Sequence, residues 1–108
     1  MKKYLIHFMS IDMPSVEDDG VTSGTNFGVY EKTFNSKEEA EKGLEELIAD
    51  DKANLEDCYG INDDPEIADN YNFDIENGCY NRKELNVYDT HDGYLLNSTI
   101  YEIVEVEF

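Results

Sequence analysis

The sequence is poor in basic residues. Only eight of its 108 residues are Lys or Arg, against 26 Asp and Glu, which gives a formal net charge of −18. A surface of this sign repels nucleic acid, anionic membranes and acidic substrates, whereas it attracts cations and basic grooves on other proteins. A small domain usually carries a net charge of roughly 2–8 in magnitude, so solubility alone does not require this excess.

Cysteine and histidine are also scarce. Cys58 and Cys79 form neither a CxxC motif nor a dense disulfide framework, so we expect two reduced, partly buried thiols in a cytoplasmic protein. The two histidines, His7 and His91, do not combine with these cysteines at the spacing of a zinc site. We expect His7 to lie on a strand and His91 in a solvent-exposed turn.

Motifs of catalysis and of membrane insertion are missing. The chain has no P-loop and no GxGxxG, GxSxG or HExxH motif, and no apolar stretch approaches the ~20 residues that span a bilayer. The apolar run that follows Lys3 is short, and it leads to Asp12 and Pro14 without a small-residue cleavage site, so it predicts a first strand. We therefore predict a soluble protein that is not an enzyme and needs no cofactor.

The sequence does contain enough apolar residues for one folded domain. Hydrophobic residues make up 40% of the chain and aromatic residues 12%, which is too much for a disordered acidic tail. No Pro/Gly/Ser-rich stretch divides the chain, so residues 1–108 predict a single domain.

Local patterns predict four strands. Apolar alternation over 3–11 and the aromatic, β-branched composition of 27–34 indicate two strands joined by a loop over 13–26. Two further strands, at 85–88 and 94–108, are expected to form a hairpin. The change of parity along the last strand predicts a bulge near Ile103.

One helix is predicted between the two strand pairs. Ser36 and Glu39 match a capping box, and Gly60 is a typical helix stop. We expect residues 61–78 to form an ordered loop. The expected fold is therefore α+β in the order ββαββ, a mostly antiparallel sheet of about four strands with one main acidic helix on one face.

Most of the negative charge is local. Between Glu38 and Glu76 there are 15 carboxylates against only Lys42 and Lys52. Nine of these carboxylates fall on the predicted helix over about 30 Å, roughly one per 3.3 Å, which is close to the ~3.4 Å per charge of a nucleic-acid strand. Such a surface can substitute for a phosphate backbone. The alternative interpretation is an acidic helix face that is simply solvated.

We identify a candidate partner-binding surface within this segment. Tyr71 and Phe73 are its candidate apolar anchors, since desolvated aromatic residues prolong a contact that charge alone only accelerates. Within the helix, Glu39, Glu46, Asp50 and Asp57 fall along one side of the wheel. The full candidate set is Glu38, Glu39, Glu45, Glu46, Asp50, Asp51, Glu56, Asp57, Asp63, Asp64, Glu66, Asp69, Tyr71, Phe73, Asp74 and Glu76.

Calcium binding is an alternative use of the same oxygens. Asp and Asn side chains are ligands that calcium prefers, and residues 61–78 are rich in both. Neither 63–66 nor 69–74 has the EF-hand spacing, with its central Gly and terminal Glu. An acidic calcium-binding domain remains an alternative, but we assign no metal ligands.

In size, charge and lack of catalytic motifs, the chain resembles the small acidic inhibitors made by phages and other mobile elements, including DNA-mimic antirestriction and anti-CRISPR proteins. The resemblance implies a stoichiometric inhibitor that acts in the host cytoplasm and occupies the nucleic-acid site of a CRISPR effector or a restriction enzyme. An immunity protein that neutralises a basic toxin nuclease would use the same electrostatics. A homodimer is also compatible with the sequence.

Overall fold

The computed structural model describes residues 1–12, 25–64, 66–78, 82–91 and 93–107. Over these ranges the protein is an α+β fold with one α-helix, α1, and a five-stranded antiparallel sheet. The strands lie in the order β2-β1-β5-β4-β3. In chain order the elements are β1 (Lys2–Asp12), β2 (Thr25–Val29), α1 (Lys37–Cys58), a 3₁₀ turn (Ile67–Asn70), β3 (Tyr71–Asn77), β4 (Arg82–Asp89) and β5 (Leu95–Glu107).

The predicted α+β class and the single main helix are confirmed, but the number of strands is not. The segment 61–78, predicted as a loop, contains β3, which pairs antiparallel with β4 and makes the order ββαβββ. Tyr71, Phe73 and Ile75 alternate with Asn and acidic residues, as in a strand with one apolar face. The Asn and acidic residues, which are uncommon in strands, concealed this pattern.

The second strand is shorter than its composition predicts. It covers Thr25–Val29 instead of 27–34, and it includes two residues assigned to the preceding loop, of which 13–24 lie outside the described residues. Beyond the strand, the Tyr30 amide donates to the Ile6 carbonyl at 2.8 Å, and Tyr4 and Phe34 form an isolated bridge. The chain therefore stays beside β1 until α1 begins.

The predicted bulge near Ile103 is wrong. The pairing of β1 with β5 runs without a break from Lys2↔Glu107 to Asp12↔Asn97. The irregularity lies between β4 and β5 instead, where Val87 pairs with Asn97 but Tyr88 pairs with Leu95. The change of parity in the sequence has another cause, because β5 carries apolar side chains on both faces of the sheet.

Helix α1 covers one of these faces. Ser36 Oγ accepts from the Glu39 amide at 3.2 Å, and Glu39 Oε2 accepts from the Asn35 amide at 3.2 Å, so the capping box forms. At the other end, Gly60 has a φ of 78°, and the helix stops as predicted. The buried core between α1 and the sheet consists of Ile6, Ala40, Leu44, Ile48, Leu85, Tyr101 and Ile103.

A close approach fixes the start of α1 on the chain segment that precedes it. A Cβ atom added at Gly43 would lie 2.3 Å from Phe34 Cζ, so the Phe34 ring packs directly on the helix backbone. The Tyr4–Phe34 bridge holds the backbone of Phe34 beside β1, with hydrogen bonds of 2.9 and 3.0 Å.

Candidate protein-binding surface

The solvent side of α1 is a continuous acidic surface. Seven of the nine helix carboxylates are exposed, and the other two, Asp51 and Glu56, are half-buried. Four of the exposed carboxylates lie on one side of the helix, within about 40° on the helical wheel, and extend over about 27 Å along the axis. We call these four the acidic line: Glu39, Glu46, Asp50 and Asp57.

Basic side chains do little to neutralise this surface. The only helix carboxylate in an ion pair within the described ranges is Glu45, whose Oε1 lies 3.9 Å from Lys83 Nζ. The three lysines of α1 itself make no ion pair with described residues. The carboxylates of the acidic line therefore face solvent without an ion-pair partner among the described residues.

The two ends of the helix differ in how well they suit negative charge. Glu38 and Glu39 lie in the first turn, where the helix dipole favours an anion. Glu56 and Asp57 lie near the other end, where the dipole disfavours one, and the last turn has no basic residue. Helix stability thus explains the carboxylates at the start of α1 but not those at its end.

Asp51 has a structural role that sets it apart from the other helix carboxylates. The hydroxyl of Tyr101, which is fully buried in β5, donates to Asp51 Oδ2 at 2.5 Å. Burial raises the pKa of Tyr101 far above its usual range, and the hydrogen bond to Asp51 raises it further. Asp51 therefore holds the middle of α1 to the centre of the sheet.

The segment after the helix extends the acidic surface. Its four carboxylate residues are all exposed, and Asp64 Oδ1 accepts from the Glu66 amide at 3.0 Å. The segment is held to the β4–β5 hairpin, where Thr90 Oγ1 donates to the Asp69 carbonyl at 2.6 Å. The candidate residues in this segment are Asp63, Asp64, Glu66 and Asp69.

The structure separates the two remaining acidic candidates from this surface. Asp74 and Glu76 are exposed residues of β3, and their register positions place them on the sheet face opposite α1. Glu76 pairs there with Glu84 of β4. The candidate set is thus divided between the α1 side of the sheet, where most of it lies, and the opposite side, which we call the open face.

The two aromatic candidates lie on the α1 side and are part of the packing. Tyr71 stacks on Tyr59, just beyond the end of α1, with ring centroids 4.6 Å apart, and Phe73 meets the same ring edge-on at 6.3 Å. Both side chains are half-buried. They fix the end of the helix on β3 and leave only part of their surface for a partner.

Several predicted features are located by the structure. His7 is an exposed residue of β1, and His91 is exposed in the turn after β4, with Nε2 3.0 Å from Asn70 Oδ1. The expected partial burial of Cys58 is wrong, because this residue is exposed at the end of α1; Cys79 lies outside the described residues.

The described ranges contain no group of three or more His, Cys, Asp or Glu side chains that could hold a metal ion. The calcium alternative stays a hypothesis. Within the same ranges, no helix combines the length and the apolar character needed to cross a bilayer.

No protein family model, curated protein or solved structure matches the chain.

Proposed function

We propose that this protein is a stoichiometric inhibitor that binds a basic nucleic-acid-binding protein through the outer surface of α1. The acidic line occupies the site that would otherwise hold phosphates. The resemblance in size and charge to antirestriction and anti-CRISPR proteins favours a target such as a CRISPR effector or a restriction enzyme.

The observation that carries the proposal is the uncompensated charge of the acidic line. Glu46, Asp50 and Asp57 are exposed and make no ion pair with any described residue. Asp57 also lies where the helix dipole disfavours it. Additional lysines at helical spacing would reduce the repulsion among these carboxylates, and their scarcity supports a basic partner.

Such a contact gains its free energy mainly by releasing counterions, as a nucleic acid does on binding the same cleft. Binding should therefore weaken steeply with salt, and added DNA should compete for it. The exposed carboxylates beyond the helix, from Asp63 to Asp69, would extend the contact past the end of α1.

The test is a pull-down from host lysate at low salt with two charge-matched triple variants. The first carries Glu46→Lys, Asp50→Lys and Asp57→Lys on α1. The second carries the same changes at exposed carboxylates of the open face, namely Asp74→Lys, Glu76→Lys and Glu102→Lys. Each variant reverses three charges and so changes the net charge from −18 to −12.

The proposal predicts one basic nucleic-acid-binding protein that is retained by the unmodified protein and by the open-face variant, lost with the α1 variant and released by DNA. Equal loss with both variants would mean that net charge alone drives retention, and the proposal would fail. A retained toxin nuclease would identify the chain as an immunity protein instead of an inhibitor of host defence.

A further inference from the structure

The edge strand β2 differs from every other strand of the described sheet, because it contains no charged residue. Its sequence is Thr-Asn-Phe-Gly-Val, in a chain whose charged residues make up 31% of the total. The opposite edge, β3, carries Asp74 and Glu76. Charged side chains on an edge strand discourage pairing with other chains, so β3 is protected in this way and β2 is not.

The side chains of β2 are also unusually exposed for apolar residues. Phe27 is 76% exposed and Val29 is 51% exposed. Both lie on the open face, beside Met9 of β1 and Ile100 of β5, and the four residues border a groove of about 530 Å³. An edge with exposed aromatic and β-branched residues is a typical site for adding another strand.

The backbone register shows which groups of β2 face outward. The Tyr30 amide donates to the Ile6 carbonyl, so the residues of even number in this segment face β1. The amides and carbonyls of Thr25, Phe27 and Val29 therefore point away from the sheet, and within the described residues β2 pairs only with β1.

We propose that a second copy of this chain pairs with this edge, β2 against β2, in an antiparallel arrangement about a two-fold axis at Phe27. In this register Phe27 pairs with Phe27 of the second copy, and Thr25 pairs with Val29 on both sides of the axis. Every outward amide and carbonyl of the strand then finds a partner. The two Phe27 rings meet on the open face, and cross-strand aromatic pairs stabilise a sheet.

A second copy suits this edge better than a basic partner does. A basic partner would find no carboxylate on β2, whereas a second copy brings a strand that is itself uncharged. Glu31 and Lys32, which follow β2, are of opposite sign and add no net charge at the interface. Repulsion between the acidic surfaces of the two copies acts over longer distances and is screened beyond about 8 Å at physiological salt.

The first test is the mass in solution, measured by light scattering after size exclusion, with two variants at opposite edges. Phe27→Lys places a charge on β2. Ile75→Lys makes the same change on β3, where Ile75 is 46% exposed. The unmodified protein and Ile75→Lys should have twice the 12.4 kDa mass of one chain. Phe27→Lys should have the mass of one chain. A monomeric unmodified protein, or a dimer that survives Phe27→Lys, would overturn the proposal.

A second test locates the axis and holds even if Phe27→Lys fails to fold. In a protein without its own thiols, Cys58→Ser with Cys79→Ser, a Phe27→Cys change should form a disulfide between copies when oxidised glutathione is added as the oxidant. Directly opposed hydrogen-bonded residues lie about 5.5 Å apart at Cα, within disulfide range. Asn26→Cys, which pairs with Gly28 in this register, should not cross-link. Equal cross-linking at both positions would refute the register.

Salt separates this proposal from the proposed function. Added salt should favour self-association, because it screens the repulsion between two chains of charge −18. The same salt should weaken binding of a basic partner. Either proposal can therefore fail without affecting the other.

Discussion

The hydrogen bond between Tyr101 and Asp51 provides a quantitative test of how α1 is held on the sheet. Tyr101→Phe removes the hydroxyl and keeps the buried ring, so no large cavity forms. A hydrogen bond to a charged group is worth about 1.5–3 kcal/mol. Asp51 is half-buried and can recover water in the variant, so we expect a loss near the lower limit, about 1.5 kcal/mol.

The assay is a double-mutant cycle measured by urea unfolding. Tyr101→Phe, Asp51→Ala and the double variant are compared with the unmodified protein at constant m-value. The sum of the two single losses in free energy of unfolding should exceed the loss in the double variant by about 1 kcal/mol or more. The reason is that the second change removes a partner whose hydrogen bond is already broken. The single Tyr101→Phe loss should lower Tm by roughly 6 °C or more for a domain of this size.

Additive losses would refute the reasoning, since they would mean that the two groups do not interact in solution. Tyr101→Phe without any loss of stability would have the same meaning. Glu41→Ala serves as a control, because the exposed side chain of Glu41 makes no ion pair or hydrogen bond with described residues. It should couple to Tyr101→Phe by less than about 0.5 kcal/mol.

Two further predictions concern the same layer of the fold. The pKa of Tyr101 is raised in the folded state, so Tyr101 ionises at lower pH in the unfolded chain than in the folded one. The contribution of Tyr101 to the free energy of unfolding is therefore complete below the usual tyrosine pKa of about 10 and is lost as the pH rises above it. Between about pH 8 and pH 11, Tm should therefore fall less in Tyr101→Phe than in the unmodified protein. Gly43→Ala should destabilise the protein by about 1 kcal/mol, because crowding against Phe34 outweighs the gain in helix propensity.

Each of these predictions can be contradicted by a specific result. Parallel Tm curves for the two proteins would show that Tyr101 ionises as readily in the folded state as in the unfolded one. For Gly43, adding Phe34→Leu should restore part of the lost stability, since the smaller side chain leaves room for the methyl group. A more stable Gly43→Ala protein would mean that the Phe34 ring moves aside without cost.

Local signals in the sequence were sufficient for part of the fold. The capping box at Ser36 and the stop at Gly60 are encoded by a few neighbouring residues, and both ends of α1 were predicted closely. Strand β3 was missed because its polar positions carry Asn and acidic residues, which disfavour strands when they are judged by composition alone. The pairing of β5 with β4 is a local hairpin and was predicted, but the central position of β5 also depends on β1 at the other end of the sequence, which no local pattern specifies.

The candidate surface was predictable as charge but not as geometry. The helical period correctly placed the acidic line on one exposed side of α1. That period could not indicate that Asp51 would accept a hydrogen bond from Tyr101, 50 positions later in the chain. It also could not indicate that Asp74 and Glu76 would lie on the other side of a sheet, because their segment was not recognised as a strand.

The position of β5 between β1 and β4 governs how this protein can fold. The strands before it can form only two separate hairpins, β1 with β2 and β3 with β4. Residues such as Lys2 and Glu107 must meet across almost the whole length of the chain before the two halves become one sheet. Long-range pairing of this kind slows folding. During synthesis, both hairpins therefore emerge from the ribosome with unpaired inner edges, and the sheet closes only when β5 has been made.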